Sequence, residues 1–400
     1  MNFTGQRVGI WGTGVVGTSG IRFFTAHGAQ VTVYDAAVHA ADRLEPFLQE
    51  CTYILPSAGI DLKPYRKYAH KFLSEVDIFY HFYTKPTIAI TGSVGKTTVT
   101  HAICTLLKQY GFRVRMAGNV GVALFDLLDE QQDYDYAILE LSSFQLERAT
   151  GCSPTVALIT NLYANHLDRH GSMSEYARAK LTILRHAPTH ALVHDSVRPY
   201  VSQQRVTYFT SVPAPEITAL VTQQRTHIDH YTILYHVAQM LKLDLQKLPA
   251  IFNLVEPPEH RVTLIATHGG TAFYDDSKAT VMEATHGALV RFVDKKVLLF
   301  IGGVSKGVSR APFFDTVPEQ VKHICFFGEE ALSLARLCPP TVTHAEHADL
   351  EAAFPHPMCL IPQHDVVLLS PGGASFVLFK NYKERGKRFQ ELVRAYVESK

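Results

Sequence analysis

Residues 87–98 read Thr-Ile-Ala-Ile-Thr-Gly-Ser-Val-Gly-Lys-Thr-Thr, and this stretch constrains the fold more than any other part of the chain. The β-branched run predicts a strand, the glycines predict a tight loop, and the residues from Lys96 onward predict a helix. In such a loop, backbone N–H groups converge on a polyphosphate, the lysine adds a positive charge, and the helix N-terminus favours an anion. We therefore expect ATP to bind at Gly92, Ser93, Val94, Gly95, Lys96, Thr97 and Thr98. A Gly-rich turn with a chance lysine is the simpler alternative.

Length and composition narrow the class of protein. The 400 residues are enough for two or three domains, and the net charge of +1 gives no broad field for nucleic acid or a membrane surface. The six cysteines form no C-x-x-C pair, which is typical of a reducing compartment. No apolar run is long enough to span a bilayer, and no signal core opens the chain. These features predict a cytoplasmic protein.

Strand-like runs alternate with helical patterns along the whole chain. This alternation predicts the α/β class, with parallel sheets covered by helices. We divide the chain into three segments, residues 1–86, 87–257 and 258–400. In the third segment, Glu-His-Arg at 259–261 and Asp-Asp-Ser-Lys at 275–278 bracket a predicted hairpin.

The first segment carries the pattern G-x-G-x-x-G at Gly12, Gly14 and Gly17. It follows a predicted strand and opens a predicted helix, and Asp35 comes about twenty residues later. This arrangement suits the diphosphate of a dinucleotide or of a nucleotide sugar, and the motif alone does not decide between them. A tight turn without a ligand is the alternative.

Three sites in the second segment could carry chemistry. Glu140 ends a predicted strand, and together with Thr97 it offers the hard oxygen ligands that Mg²⁺ prefers. A loop rich in polar residues, from Asn161 to His170, follows another buried strand and could equally be a plain turn. Lys180 falls on or near the apolar side of a predicted amphipathic helix, and by itself this position predicts no special role.

Basic and acidic residues also lie together in the third segment. Arg261, Asp276 and Lys278 suit a ribose and a phosphate undergoing transfer. The Gly-rich strand ends at residues 302–307 and 370–375 could bind an anion or carboxylate, or could be ordinary turns.

Taken in order, these motifs resemble the Mur ligase family, ATP-dependent enzymes that form amide bonds in peptidoglycan precursor synthesis. The resemblance covers nearly the whole chain, and Glu-Leu-Ser-Ser-Phe-Gln at 140–145 and Asp-Ser-Lys-Ala-Thr at 276–280 are its most specific parts. It implies an N-terminal Rossmann-like domain for a UDP-linked substrate, a central P-loop ATPase domain and a C-terminal Rossmann-like domain for an amino acid. Residues 276–280 favour the members that add D-glutamate to UDP-N-acetylmuramoyl-L-alanine. We expect a monomer that uses small-molecule substrates, binds no nucleic acid and does not insert into a membrane.

The resemblance also implies residue roles and cofactors. ATP and two Mg²⁺ sites are expected. The implied catalytic residues are Lys96, His166, Lys180 and Lys278. The implied metal ligands are Thr97, Glu140, His166 and Lys180, the last in a position where the family carries a carbamylated lysine. Arg261 and Asp276 would join the loop at ATP. The UDP-linked substrate would meet Gly14, Val15, Val16, Asp35, Asn119, Ser142 and Gln145. The D-glutamate pocket would contain Thr280, Lys306, Ser375 and Tyr382.

Several positions depart from the family pattern, among them the stretch at 227–231. Relatives commonly carry His-Asn-x-x-Asn entering a helix, where an asparagine meets adenine, and this chain reads His-Ile-Asp-His-Tyr at 227–231. Two alternatives to the D-glutamate step stay open: a non-catalytic relative that binds a UDP-sugar or nucleotide, and a ligase of the same superfamily for another amino acid. An NAD-dependent dehydrogenase would account only for Gly12, Gly14 and Gly17.

Overall fold

A computed structural model describes residues 1–186, 188–202, 205–221, 226–305, 307–355 and 360–399. The strands, in chain order, are β1 (Arg7–Trp11), β2 (Gln30–Tyr34), β3 (Tyr53–Pro56), β4 (Thr87–Thr91), β5 (Val114–Gly118), β6 (Tyr136–Glu140), β7 (Val156–Ile159), β8 (His190–His194), β9 (Thr207–Phe209), β10 (Thr263–His268), β11 (Thr271–Asp275), β12 (Val297–Gly302), β13 (Val321–Phe327), β14 (Thr343–His347) and β15 (Val366–Leu369).

The helices follow the same order. They are α1 (Val15–Ala26), α2 (Leu44–Glu50), α3 (Glu75–Phe82), α4 (Lys96–Gln109), α5 (Leu124–Glu130), α6 (Ser143–Leu146), α7 (Leu167–His170), α8 (Met173–Leu181), α9 (Pro215–Leu220), α10 (Ile228–Met240), α11 (Leu248–Phe252), α12 (Met282–Leu289), α13 (Ala311–Asp315), α14 (Ala331–Ala335), α15 (Leu350–Ala353) and α16 (Tyr382–Glu398). Within these residues, no helix is both long and apolar enough to cross a bilayer.

The described residues form two compact units. The first unit contains residues 1–162, 171–221 and 228–255, and the second contains residues 163–170, 226–227 and 256–399. The segment boundaries predicted from the sequence, 1–86, 87–257 and 258–400, remain predictions.

The first unit contains two sheets. The N-terminal sheet has the order β2-β1-β3, and its strands are parallel. Helix α1 packs closely on β1 because Gly17 has no side chain: a Cβ there would lie 1.9 Å from the Gly12 carbonyl oxygen. The second sheet has the order β5-β6-β4-β7-β8-β9, again all parallel. Strand β4 lies inside it and is buried at every residue. Because all strands of this second sheet are parallel, their carboxyl ends lie at the same edge of the sheet, and ligands bind at that edge in such folds.

The second unit is built on a mixed sheet. Its order is β10-β11-β15-β12-β13-β14, with β10 and β11 antiparallel and the other pairs parallel. Gly269 and Gly270 join β10 to β11, which confirms the predicted hairpin, because a two-residue connection can join only antiparallel strands. The predicted α/β class is confirmed, with this hairpin as the departure from a purely parallel arrangement.

Candidate functional site

The phosphate loop, residues 92–95, joins β4 to α4 in the first unit. Gly92 and Gly95 both have left-handed backbone conformations, with φ values of 146° and 85°. A Cβ on Gly92 would lie 2.0 Å from Thr160 Oγ1, so only glycine fits there. The Asn161 side-chain oxygen accepts a hydrogen bond from Val94 N at 2.8 Å, and Thr160 Oγ1 donates to Val94 O at 2.7 Å. The polar end of β7 therefore fixes the shape of the loop.

Lys96 begins α4 and reaches back over the phosphate loop. Its Nζ donates hydrogen bonds to Gly92 O at 2.6 Å and Ser93 O at 3.0 Å. Thr97 is half-buried at the next position, and Thr98 is buried. The helix has 14 residues, so its N-terminus presents backbone N–H groups and a positive dipole to an anion. The predicted loop thus has the parts that a polyphosphate requires.

Glu140 ends β6, the strand next to β4, and is only 1% exposed. Its Oε1 accepts a hydrogen bond from Asn119 Nδ2 at 2.8 Å. Its Oε2 is buried and has no hydrogen-bond partner among the described residues. A buried carboxylate oxygen without a donor is costly unless a cation meets it. The residues present therefore fit Mg²⁺, for which Glu140 would be a ligand.

Lys180 on α8 is 2% exposed, and this burial could not be deduced from its position in the sequence pattern. Its Nζ donates to Gly92 O at 2.8 Å and to Thr91 Oγ1 at 3.3 Å. Burial, together with the charge of Lys96, lowers the pKa of the Lys180 ammonium well below its usual value. The structure therefore brings Lys180 to the same loop as Lys96 and favours its neutral amine.

Tyr176 is a site residue that sequence reasoning missed. Its hydroxyl lies 3.0 Å from Ser93 Oγ, and the Lys180 Nζ lies 4.7 Å from the centre of its ring. The spacing of four residues from Lys180 on one helix is the signal that could have identified it. Tyr176 therefore supports both the loop and the buried lysine.

The glycine-rich turn of the N-terminal sheet is closed by Asp35. The Asp35 Oδ2 accepts hydrogen bonds from Thr13 N at 2.7 Å and Thr13 Oγ1 at 2.5 Å, and Oδ1 accepts from Ala37 N at 3.0 Å. These hydrogen bonds lower the pKa of Asp35 to about 2, and the bond from the Thr13 hydroxyl has the largest effect. Gly14 caps α1, and Val15 at its first position is exposed. The turn is thus preformed, with its helix N-terminus open to solvent.

Ser142 and Gln145 form a capping box on the short helix α6. Gln145 N donates to Ser142 Oγ at 3.2 Å, and Ser142 N donates to Gln145 Oε1 at 2.9 Å. The Gln145 side-chain amide also donates to Glu75, a buried carboxyl at the start of α3 whose pKa is raised by burial. Both residues therefore help to hold α3 against α6, in addition to the substrate role that the resemblance implies. Nothing in the sequence indicated the part played by Glu75.

In the second unit, Arg261 lies between two residues with left-handed backbones. The φ values are 63° for His260 and 49° for Val262, and such a φ is a genuine outlier for a β-branched residue. The buried His260 Nδ1 lies 2.6 Å from Asp275 Oδ2. Ser370 Oγ donates to Asp276 Oδ2 at 2.7 Å, and burial raises the pKa of Asp276 to about 7.

Lys278 and Tyr382 meet on this side of the second unit. The Lys278 Nζ lies 3.8 Å from the centre of the Tyr382 ring, a cation–π contact between two predicted site residues. Ser375 is buried at the loop after β15. Lys306, the fourth residue of the predicted D-glutamate pocket, lies outside the described residues.

A cavity of about 370 Å³ opens beside Thr280 in the second unit. Its lining includes Thr280, Glu283, Ser305, Arg310, Phe313 and Gly372. The buried Arg310 donates to Gly303 O at 2.7 Å and pairs with Glu330 at 3.3 Å. Its Nε has no hydrogen-bond partner within the described part of the chain. The cavity is therefore large enough for an amino acid and carries a guanidinium in its wall.

The predicted metal ligands are divided between the two units. Glu140 and Lys180 belong to the first unit, and His166, just before α7, belongs to the second. His166 has a left-handed φ of 55°, and the neighbouring Asn165 has a buried Oδ1 without a partner in the residues described. The residues that the structure describes contain no cluster of three or more His, Cys, Asp or Glu side chains that could hold a metal by themselves.

Comparisons with known proteins identify the family. Residues 90–243 match the family described as Mur ligase middle domain. The chain is 30% identical to a UDP-N-acetylmuramoylalanine--D-glutamate ligase of Acetivibrio thermocellus, over 97% of this chain and 96% of that protein. It is also 30% identical to the ligase of the same name from Koribacter versatilis, over 100% and 99% of the two chains.

Solved structures agree on the fold. A MurF structure from Acinetobacter baumannii gives a TM-score of 0.62 at 16% identity, over 99% of this chain and 91% of that one. MurF ligase from Thermotoga maritima, solved in complex with ADP, gives a TM-score of 0.59 at 16% identity, over 99% of this chain and 96% of that one. With full-length relatives at 30% identity and a phosphate loop of the expected form, the chain belongs to the Mur ligase family, the ATP-dependent ligases of peptidoglycan synthesis.

Proposed function

We propose that this chain joins D-glutamate to UDP-N-acetylmuramoyl-L-alanine, with ATP as the energy source and an acyl phosphate as the intermediate. The observation that carries the proposal is full-length similarity, at 30% identity, to proteins named UDP-N-acetylmuramoylalanine--D-glutamate ligase. The residues 276–280 that favour this step lie at the end of β11, beside the 370 Å³ cavity. We further propose that the three segments are the UDP-, ATP- and amino-acid-binding domains, and that the enzyme is a monomer.

The first half-reaction makes the carboxyl group of the L-alanine residue reactive. A carboxylate oxygen attacks the γ-phosphorus of ATP, an O–P bond forms, and the bond to ADP breaks. Lys96 and Lys278 stabilise the charge that develops on the transferred phosphoryl group. This activation is needed because an oxide is a poor leaving group and a phosphate is a good one.

The second half-reaction forms the amide. The amine of D-glutamate attacks the acyl carbon, the C–N bond forms, the C–O bond to phosphate breaks, and the nitrogen loses a proton. Thr280, Lys306, Ser375 and Tyr382 would position the amino acid. The Arg310 guanidinium in the cavity wall supports an acceptor that carries carboxylates.

Glu140, Thr97, His166 and Lys180 would hold Mg²⁺, which neutralises phosphate charge when bound. Glu140 Oε2, which has no hydrogen-bond partner among the described residues, supports this assignment most directly. We propose that Lys180 is carbamylated, since its lowered pKa favours the neutral amine that adds CO₂. The product is an anion suited to a metal site.

The test measures phosphate release from Mg-ATP with UDP-N-acetylmuramoyl-L-alanine. The assay compares D-glutamate, L-glutamate, other amino acids and no amino acid, and the mass of the product is measured by mass spectrometry. We expect release that requires D-glutamate and a product carrying one added glutamate. Release with another amino acid would reject the D-glutamate assignment. Substrate binding without release would point to a non-catalytic relative.

A further inference from the structure

His230, in the first turn of α10, lies against the phosphate loop. A Cβ built on Gly95 would be 3.2 Å from His230 Nε2, so the imidazole is in contact with this glycine. Gly95 is the residue that precedes Lys96 and caps α4. The nitrogen of the imidazole therefore lies at the rim of the loop, next to the helix N-terminus that favours anions.

A chain of hydrogen bonds fixes the first turn of α10 in this place. Ser196 N donates to His194 Nδ1 at 3.1 Å, which leaves the proton of the neutral ring on Nε2. His194 Nε2 lies 3.2 Å from Ser211 Oγ, and Ser211 Oγ lies 3.1 Å from Asp229 Oδ2. Ser196 Oγ also accepts from Leu162 N at 2.9 Å. Because β8 ends at His194, α10 is anchored at the carboxyl edge of the central sheet, the edge that also carries the phosphate loop.

The neighbours of His230 cannot play the same part. Tyr231 is fully buried, with its ring centre 5.0 Å from that of Phe252. The Asp229 carboxylate accepts a hydrogen bond from Ser211, and its negative charge would be repelled by a phosphate group. His230 is half-buried, and its side chain can donate a hydrogen bond.

We propose that His230 is a nucleotide-binding residue that donates a hydrogen bond from its imidazole to a phosphate group held on the phosphate loop. This inference rests on the proposed use of ATP and not on the identity of the amino acid. It assigns a polar contact to the stretch 227–231, where the sequence departs from the family pattern.

The test compares binding of Mg-ADP and of tripolyphosphate, which has no base or ribose, by calorimetry. In His230→Ala we expect both affinities to fall about tenfold or more, by the same factor, because a hydrogen bond to a charged group is lost. His230→Gln keeps a donor and should stay within about threefold of the wild type. His236→Ala, a half-buried histidine on the same helix, should leave both affinities unchanged. Unchanged tripolyphosphate binding in His230→Ala would overturn the proposal.

A second measurement uses the unaltered protein, so it does not depend on whether a variant folds. Diethyl pyrocarbonate modifies accessible imidazoles, and the modified histidines are located by mass spectrometry. Saturating tripolyphosphate should slow the modification of His230 and leave that of His236 unchanged. Equal rates at His230 with and without tripolyphosphate would reject the contact. Ligase assays that fail with D-glutamate, while His230-dependent nucleotide binding persists, would reject the amino-acid assignment and leave this inference standing.

Discussion

Lys96 and Lys180 donate hydrogen bonds to the same carbonyl oxygen, that of Gly92, at 2.6 and 2.8 Å. The two lysines come from different helices, α4 and α8, and only Lys180 is fully buried. Burial first, and the charge of Lys96 second, lower the pKa of Lys180. The two residues therefore share an acceptor, and the surroundings of Lys180 disfavour its charged form.

In protein kept free of CO₂, where Lys180 stays an unmodified amine, replacing Lys180 with methionine should stabilise the protein at neutral pH. The unfolded chain binds a proton at Lys180 at pH values where the folded chain does not, so stability rises with pH up to the ordinary lysine pKa of 10.5. We expect Lys180→Met to be more stable than the wild type at pH 7, and the gain to shrink as the pH approaches 10.5. Urea unfolding at several pH values measures this. The exposed Lys108→Met on α4 is the control, and a Lys180→Met protein less stable at pH 7 contradicts the lowered pKa.

Lys96→Ala should lower the rate of phosphate release about 10²-fold or more, because a positive charge at the transferred phosphoryl group is lost. Steady-state kinetics with saturating Mg-ATP measures the loss. Lys108→Ala, near the other end of the same helix, should turn over normally. Near-normal turnover in Lys96→Ala would contradict the role of the phosphate loop in phosphoryl transfer.

Glu140→Gln should lower turnover about 10²-fold and raise the Mg²⁺ concentration that gives half-maximal activity. The reason is that the carboxylate, whose Oε2 has no partner in the part of the chain that the structure describes, becomes an uncharged amide. Chemical unfolding should show no loss of stability, since the buried charge is removed. A Mg²⁺ titration of activity measures the effect, with the exposed Asp129→Asn as control. An unchanged Mg²⁺ dependence would show that Glu140 is not a ligand.

Asp276 should make stability fall as the pH rises from about 4 to about 7. Burial raises the pKa of the folded carboxyl from 3.8 to about 7, so the folded chain holds a proton that the unfolded chain has lost. On a scale of 1.36 kcal/mol per pKa unit, the loss is about 4 kcal/mol, and it is complete above pH 7. Asp276→Asn should remove this part of the pH dependence. Denaturant unfolding between pH 4 and 8 tests it, and identical pH profiles for the two proteins would contradict it.

Val262→Gly should raise the free energy of unfolding by about 1 kcal/mol, because the left-handed conformation is strained for valine and not for glycine. Val293→Gly is the control for the backbone cost of glycine, since Val293 is exposed and has an ordinary φ of −53°. That variant should lose about 0.5–1 kcal/mol. Thermal or denaturant unfolding of both variants provides the measurement. Equal losses at the two positions would show that Val262 is not strained.

The sequence predicted those features that depend on local pattern. The glycines at 92 and 95 and the hairpin after Arg261 follow from residue types at short spacing. These features are readable because glycine conformations and strand alternation act within a few residues.

Other features depend on contacts between distant residues, which spacing does not encode. Gln145 meets Glu75 across 70 positions, and Lys180 meets Gly92 across 88. The burial of Lys180 is set by the packing of α8 against the loop, and a helical lysine is by itself equally compatible with a solvated face. Residue patterns could therefore suggest the parts of the site but not which of them share an acceptor.

The Lys96 ammonium group already donates hydrogen bonds to carbonyl oxygens of its own loop. A nucleotide that binds there has to replace these oxygens as acceptors. An incoming anion has to offer the ammonium group better acceptors than the carbonyl oxygens of Gly92 and Ser93 already provide. Phosphate oxygens carry a formal negative charge and carbonyl oxygens only a partial one, so a polyphosphate gains from the exchange. Chloride and other weakly basic anions gain little, and the loop thereby discriminates among anions by acceptor strength as well as by charge.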